Sequence, residues 1–144
     1  MRRESREKVF QTLFMMDALG VGPEEAIPLF ALACDFPSDA EYYRETVCGV
    51  WEHREEIDLL ISRAAQHWRI ERMAMTDRNI MRLGVYEISY GKDIPYVVAI
   101  NEAVDLGKRF GAEESGGFIN GILDKVSELV NKKTRASVKT LSDD

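Results

Sequence analysis

This sequence of 144 residues contains few of the residues on which metal sites and disulfide-bonded exported proteins depend. It has two cysteines, Cys34 and Cys48, and two histidines, His53 and His67. The histidines are far apart and share no metal-ligand spacing with the cysteines, so we interpret them as structural residues. Two lone thiols without an apolar signal segment indicate a reducing cytoplasm and no disulfide. No apolar run approaches the roughly 20 residues of a membrane span, so we expect no membrane segment.

Motifs of common catalytic and nucleotide-binding sites are also missing from the sequence. There is no P-loop and no G-x-G-x-x-G motif, and the acidic pairs along the chain match solvated helix ends and faces. An enzyme needs a nucleophile, an acid–base pair, a metal ion or a cofactor cradle. We therefore predict a protein without catalytic activity, cofactor or metal ion.

The sequence does show a helical pattern throughout. Apolar residues recur three and four positions apart, and no segment of useful length alternates with the period of a strand. Six or seven helices with short connections predict an all-α bundle. One capping box is expected where Ser38 precedes Glu41 by three residues. We predict one domain over residues 1–130 and a flexible tail over 131–144, whose sequence lacks an apolar face.

The clearest helical pattern, over residues 94–124, predicts two helices joined by a tight turn. Pro95 suits the first helical position, and Gly111 is expected to end that helix in a left-handed conformation. Gly107 and Gly121 each cost about 1 kcal/mol relative to alanine inside a helix. We therefore expect another backbone to come close at both glycines.

Positive charge is concentrated at the two ends of an acidic chain. The net charge is −6, yet residues 1–8 and residues 131–144 each contain four basic and two acidic residues. Arg2, Arg3 and Arg6 are three or four positions apart and share one face of the first helix. This basic cluster is either a solvated, salt-bridged helix end or a site where guanidiniums and free backbone N–H groups bind phosphate.

Four segments, in a fixed order, carry a resemblance to a known family. They are residues 6–14 (REKVFQTLF), 77–88 (DRNIMRLGVYEI), 94–111 (IPYVVAINEAVDLGKRFG) and 115–124 (SGGFINGILD). Together they resemble the NusB family of bacterial transcription antitermination factors. The resemblance implies two packed helical sub-bundles and a heterodimer with NusE, a small-subunit ribosomal protein. It also implies binding of boxA-type single-stranded RNA and read-through by the RNA polymerase elongation complex, notably in ribosomal RNA operons.

The resemblance also implies site residues when its motifs are carried onto this sequence. The RNA surface falls on Arg2, Arg3, Arg6, Phe118 and Asn120. The NusE surface falls on Phe14, Asp77 and Arg78.

The sequence departs from the family pattern at several positions near these sites. Glu4 lies within the basic motif, Gly116-Gly117 replaces a more polar or basic pair, and Phe14 stands where a tyrosine is familiar. These departures and the acidic body keep a second hypothesis open, a protein-only interaction module or homodimer with weak RNA binding. A third, an RNA-modifying enzyme with a NusB-like targeting domain, lacks any catalytic domain after residue 130.

Overall fold

The computed structural model describes residues 2–66 and 68–142, with side chains through Asn131, and every regular element in this part of the chain is helical. A short 3-10 helix, Ile70–Arg72, lies between the fourth and fifth of seven α-helices. The α-helices are α1 (Arg2–Leu19), α2 (Pro23–Ala33), α3 (Ala40–Glu52), α4 (Arg54–Ala64), α5 (Met75–Tyr90), α6 (Tyr96–Phe110) and α7 (Ser115–Ser142). No helix described here is long and apolar enough to cross a bilayer.

The helices pack as two groups that share α5. Helices α1, α2 and α3 contact one another, and α4, α6 and α7 surround α5, which also contacts α1 and α3. Helix α5 is buried on several sides between Asn79 and Glu87, as expected of a helix at the centre of a bundle. The predicted all-α fold with two packed sub-bundles is confirmed.

Glycine allows the helices around α5 to approach closely. A Cβ at Gly84 would lie 2.6 Å from Leu123 Cδ1, and one at Gly107 would lie 2.6 Å from Ile119 Cδ1 and 3.6 Å from the backbone nitrogen of Gly116. The close approach expected at Gly107 is therefore confirmed. At Gly121 the expectation is wrong, because a Cβ there would meet no atom within 4 Å.

Two predicted helix ends differ from the structure around α6. Pro95 is the residue just before the helix, which begins at Tyr96. Gly111 follows α6 with φ −96° and ψ −167°, an extended conformation rather than a left-handed one. A left-handed glycine occurs instead at Gly20, with φ 67°, after α1.

The capping box predicted for Ser38 and Glu41 at the start of α3 is wrong, because the N-cap is the next residue. Asp39 is the N-cap, and its carboxylate accepts a hydrogen bond from the Tyr42 amide at 3.2 Å. The Ser38 hydroxyl donates instead to Glu4 Oε2 at 2.8 Å, across the gap to α1. The local pattern was ambiguous because both residues are good caps, and the contact with Glu4 occupies Ser38.

The predicted tail and the role of His67 remain predictions. Helix α7 extends to Ser142, but the side chains after Asn131 and residues 143–144 lie outside the described part, as does His67. The domain limits of 1–130 and 131–144 are therefore unchanged as expectations.

Two glycines inside helices predict opposite effects of alanine on stability. At Gly49 in α3, a Cβ would lie within 2.5 Å of the Tyr86 ring, so Gly49→Ala should lower the free energy of unfolding by about 1–3 kcal/mol. At the unobstructed Gly121, alanine should raise it by about 1 kcal/mol through helix propensity. Urea denaturation measures both, and equal effects would contradict this packing.

Candidate nucleic-acid interface

Arg6, the innermost residue of the N-terminal basic cluster, is buried. Its Nε and Nη2 donate hydrogen bonds to the two carboxylate oxygens of Glu87 at 2.7 and 3.0 Å, and the Tyr42 hydroxyl donates to the same carboxylate at 3.1 Å. Arg6 is only 6% exposed and Glu87 only 2%. Arg6 joins α1 to α5, and its predicted contact with RNA would require this pair to break.

Electrostatics favour the charged form of the buried Arg6. Burial disfavours the charged guanidinium, but the hydrogen bond and charge of Glu87 outweigh burial and raise the pKa of Arg6. The pKa of Tyr42 is also raised, by burial and then by the adjacent Glu87 charge, so its hydroxyl stays a donor. The three side chains therefore form a buried, hydrogen-bonded link among α1, α3 and α5.

Arg2 and Arg3 lie on the surface, one turn before Arg6. The Arg3 side chain is 64% exposed, with Nη2 3.0 Å from Asp105 and Nε 3.4 Å from Glu102, both on α6. The Arg2 guanidinium lies 4.7 Å from the centre of the Tyr42 ring, and its Nη2 is 3.7 Å from Asp39. The buried Arg6 therefore positions two exposed guanidiniums beside α6 and the start of α3.

The sequence analysis missed the acidic residues and a further arginine that complete this surface. Arg109 on α6 donates to Asp105 at 2.9 Å and to Glu7 of α1 at 3.3 Å. Asp105 is thus shared by Arg3 and Arg109. Exposed pairs of this kind contribute about 0–1 kcal/mol, so a phosphate can replace a carboxylate at modest cost. The spacing of four positions between Asp105 and Arg109 was the sequence signal for this network.

The start of α7 continues the same side of the molecule. Lys108 of α6 lies against Gly116, where a Cβ would be 3.2 Å from its Cγ. Beyond it, Asn120 is exposed, and Cβ atoms at Gly117 or Gly121 would meet no atom within 4 Å. Phe118, by contrast, is half-buried and packs against the core. The surface from α1 through α6 to α7 is thus continuous and low in relief at α7.

The residues assigned to the partner surface lie at the seam between α1 and α5. Phe14 is 36% exposed, and its ring meets the Phe10 ring edge-on at 6.4 Å between centroids. One turn later on α1, Asp17 accepts two hydrogen bonds from Arg78, at 2.7 and 2.9 Å. The neighbouring Asp77 has one buried carboxylate oxygen that accepts no hydrogen bond from the residues described here.

Asp17, which the sequence analysis missed, is the centre of a polar network at this seam. Besides Arg78, it accepts from Asn79 at 2.8 Å and from Arg82 at 3.1 Å, while Arg82 also donates twice to Asp58. Burial alone would raise the pKa of Asp17, but the hydrogen bonds from Arg78 and Asn79 and the nearby positive charges outweigh burial and lower it. Arg78 is therefore held in place by Asp17, and Asp17 also pairs with Arg82.

The other potential ligand side chains are dispersed. In the described ranges, histidine, cysteine, aspartate and glutamate nowhere form a group of three that could hold a metal ion. Cys34, at the end of α2, and Cys48, within α3, are exposed free thiols.

Comparison with known proteins gives this surface a family context. The NusB family model matches residues 3–128. The chain belongs to the NusB family. The transcription antitermination protein NusB of Myxococcus xanthus is 44% identical over 136 residues, which cover 91% of this chain and 97% of the relative. NusB of Desulfatibacillum aliphaticivorans is 42% identical over 139 residues, covering 96% and 97%.

Solved structures of NusB proteins share the fold. NusB of T. maritima superposes with a TM-score of 0.80 at 37% identity, covering 89% of this chain and 91% of its own. A complex described as antitermination factors NusB and NusE with double-stranded RNA matches with a TM-score of 0.77 at 29% identity, covering 89% and 96%. The family resemblance carried by the four sequence segments is confirmed.

Removing the charge of Glu87 should destabilise the fold far more than removing an exposed arginine. Glu87→Gln leaves the buried Arg6 with only the more distant Glu102 carboxylate, at 3.6 Å, and we expect the free energy of unfolding to fall by about 3 kcal/mol. Arg3→Gln, which breaks only exposed pairs, should change it by less than about 1 kcal/mol. Urea denaturation at pH 7 measures both, and similar losses would show that the Arg6–Glu87 pair is no stronger than a surface pair.

The lowered pKa of Asp17 predicts a pH-dependent contribution to stability. A carboxylate whose pKa is lower in the folded state stabilises the fold above its unfolded pKa, near 3.9, and this stabilisation is lost as the pH falls. Asp17→Asn should therefore be less stable than the parent at pH 7 by about 1–3 kcal/mol, with the difference shrinking below about pH 4. Asp35→Asn, at an exposed position, is the control. A difference that is independent of pH would contradict the ionic role of Asp17.

Proposed function

We propose that this chain is an RNA-binding transcription antitermination factor that pairs with NusE and binds boxA-type single-stranded RNA. In this role it promotes read-through in ribosomal RNA operons, acts in the cytoplasm without catalysis, and reaches the RNA polymerase elongation complex indirectly. The observation that carries the proposal is that the exposed Arg3 meets Asp105 of α6, while Lys108 of the same helix lies against Gly116 at the open start of α7. Membership of the NusB family supports it.

Electrostatics supply the affinity in this proposal. Each guanidinium has five N–H donors, so Arg3 can donate hydrogen bonds to a phosphate while it keeps or exchanges its contacts with Glu102 and Asp105. Arg109 and Lys108 extend the cationic path toward α7. The acidic remainder of the chain repels RNA elsewhere and favours binding along this path.

Base recognition in this proposal comes from α7. Unpaired bases can stack on the half-buried ring of Phe118, and the Asn120 amide can form hydrogen bonds with a base edge. The exposed glycines Gly117 and Gly121 let the RNA backbone pass close to the helix. NusE is expected to cover Phe14 and the first turn of α5 and to add basic surface of its own.

Titration of boxA-type RNA with and without NusE tests the proposed function. If about four phosphates are bound, raising the salt from about 50 to 200 mM should weaken binding roughly fifty-fold. NusE should raise the affinity, and substituting Arg2 and Arg3 together with glutamine should lower it. A pair that ignores such RNA even at low salt would overturn the proposal.

Neutralising Asp105 should strengthen RNA binding. Asp105 contacts both Arg3 and Arg109, so Asp105→Asn leaves each guanidinium with one acidic partner instead of two and removes a negative charge from the path. We expect an increase in affinity of about threefold at low salt, fading as salt screens the charge. Glu25→Gln on the exposed side of α2 makes the same change in net charge and is the control. Equal effects of the two variants would show that only net charge matters.

A second candidate function is a protein-only interaction module or homodimer with weak RNA binding. The observation that favours it is that Arg2 and Arg3 already have acidic partners within the chain. It predicts that NusE binds while RNA affinity is unmoved by Asp105→Asn. Light scattering of the free chain would show whether it self-associates.

A further inference from the structure

Trp68 is an exposed aromatic residue outside the surfaces discussed so far. It lies between α4 and the 3-10 helix, and its side chain is 60% exposed. The indole ring meets the Phe118 ring of α7 at an interplanar angle of 76°, with 6.4 Å between centroids. Most of a large apolar ring is therefore left in water directly beside a residue of the candidate RNA surface.

The arginines around Trp68 differ from those of α1 because they have no acidic partner. Arg63, Arg69 and Arg72 are exposed, and none lies within ion-pair distance of a carboxylate in the described part of the chain. Glu71 is the single acidic residue between positions 63 and 72, so this segment has a net charge of +2. These cations are not neutralised, whereas Arg2, Arg3 and Arg109 are paired.

Trp68, Arg69 and Arg72 line one open groove. Its volume is about 650 Å³, and its other lining residues are Ser62, Gln66, Ile70 and Glu71. Two guanidiniums outnumber the single carboxylate, Glu71, in this lining, and an aromatic ring beside an excess of positive charge is the combination that binds single-stranded nucleic acid. A protein hot spot would surround the aromatic ring with apolar neighbours that exclude water, and this groove is mostly polar.

The groove adjoins the candidate RNA surface through Phe118. One side of Phe118 meets Trp68, and the exposed outer face of α7, with Gly117, Asn120 and Gly121, lies next to it. A strand that crosses α7 from the side of α1 therefore arrives at Trp68. Because no Cβ projects at the two glycines, the helix presents little obstruction to that path.

We propose that Trp68 stacks on a base and that Arg69 and Arg72 bind phosphates of single-stranded RNA beyond the nucleotides held by α1 and α7. This inference rests on the proposed function, because it extends the same RNA path. Stacking buries the exposed indole, and phosphates supply the counter-charges that the two arginines lack. Duplex RNA is a poor ligand for this groove, since its bases are already stacked on one another.

The first test compares RNAs of two lengths bound to the complex with NusE. One is a short boxA-type strand, and the other is the same strand extended by several nucleotides at either end. Trp68→Leu should weaken binding of the extended RNA about tenfold, which is the scale of one stacked base. Binding of the short RNA should stay nearly unchanged. Trp68→Phe keeps an aromatic face and should retain most of the affinity.

The arginines are tested by salt dependence. Arg69→Gln with Arg72→Gln should lower the salt slope for the extended RNA by roughly 1.4, which corresponds to two phosphates. Arg44→Gln is the matched control, because Arg44 is also exposed and lies over the Phe36 ring near α3. An unchanged slope would remove Arg69 and Arg72 from the path.

Tryptophan fluorescence reports stacking directly. Trp51 and Trp68 are the only tryptophans, so Trp51→Phe leaves Trp68 as the single emitter. Its emission should be quenched by the extended RNA more than by the short one. The converse variant, Trp68→Phe, leaves Trp51 beneath Arg54, and its emission should not respond to RNA.

The outcomes separate this inference from the proposed function. If the parent binds boxA-type RNA but Trp68→Leu and Trp68 emission show no effect, the inference falls and the proposed function stands. If no RNA binds at all, both fall. If Trp68→Leu weakens only the binding of NusE, Trp68 belongs to a protein contact and the inference is overturned. Trp68→Phe and the arginine variants give the same decision should Trp68→Leu fail to fold.

Discussion

The buried pair of Arg6 and Glu87 fixes where the first helix lies and therefore which of its arginines reach the surface. A charged pair in the interior loses hydration that its mutual attraction only partly repays, so its value is geometric rather than a gain in stability. Because both oxygens of Glu87 are occupied, α1 cannot slide or turn without leaving a buried charge unpaired. Arg2 and Arg3 are exposed on α1 as a consequence of this anchor.

The exposed arginines are restrained by acids in a way that bears on selectivity. Asp39, Glu102 and Asp105 hold Arg2 and Arg3 in place and reduce the attraction of this surface for isolated anions. Each pair is weak, so a ligand that offers several phosphates at once can replace the carboxylates together. On the proposed function, the acids favour an extended RNA strand with stackable bases over small anions.

The helical bundle, the family and the position of Asn120 could be predicted from the sequence because they depend on local pattern and on family motifs. The burial of Arg6 could not, since its partner Glu87 lies 81 positions away and spacing alone puts Arg6 on the same face as Arg2 and Arg3. Gly107 and Gly121 show a related limit: each is a glycine inside a helix, and only at Gly107 does the neighbouring helix come close.

These contacts place arginines in three different environments, which suggest the order in which RNA would meet them. Arg6 is buried, Arg3 is exposed but paired, and Arg69 is exposed and unpaired. Unpaired charge acts over the longest distance, because no neighbouring carboxylate cancels its field. On the proposed path, an RNA strand is attracted first to the groove beside Trp68 and then exchanges the carboxylates along α6 for phosphates. The arginines that were paired with carboxylates then bind the phosphates, at positions that the buried Arg6 has fixed.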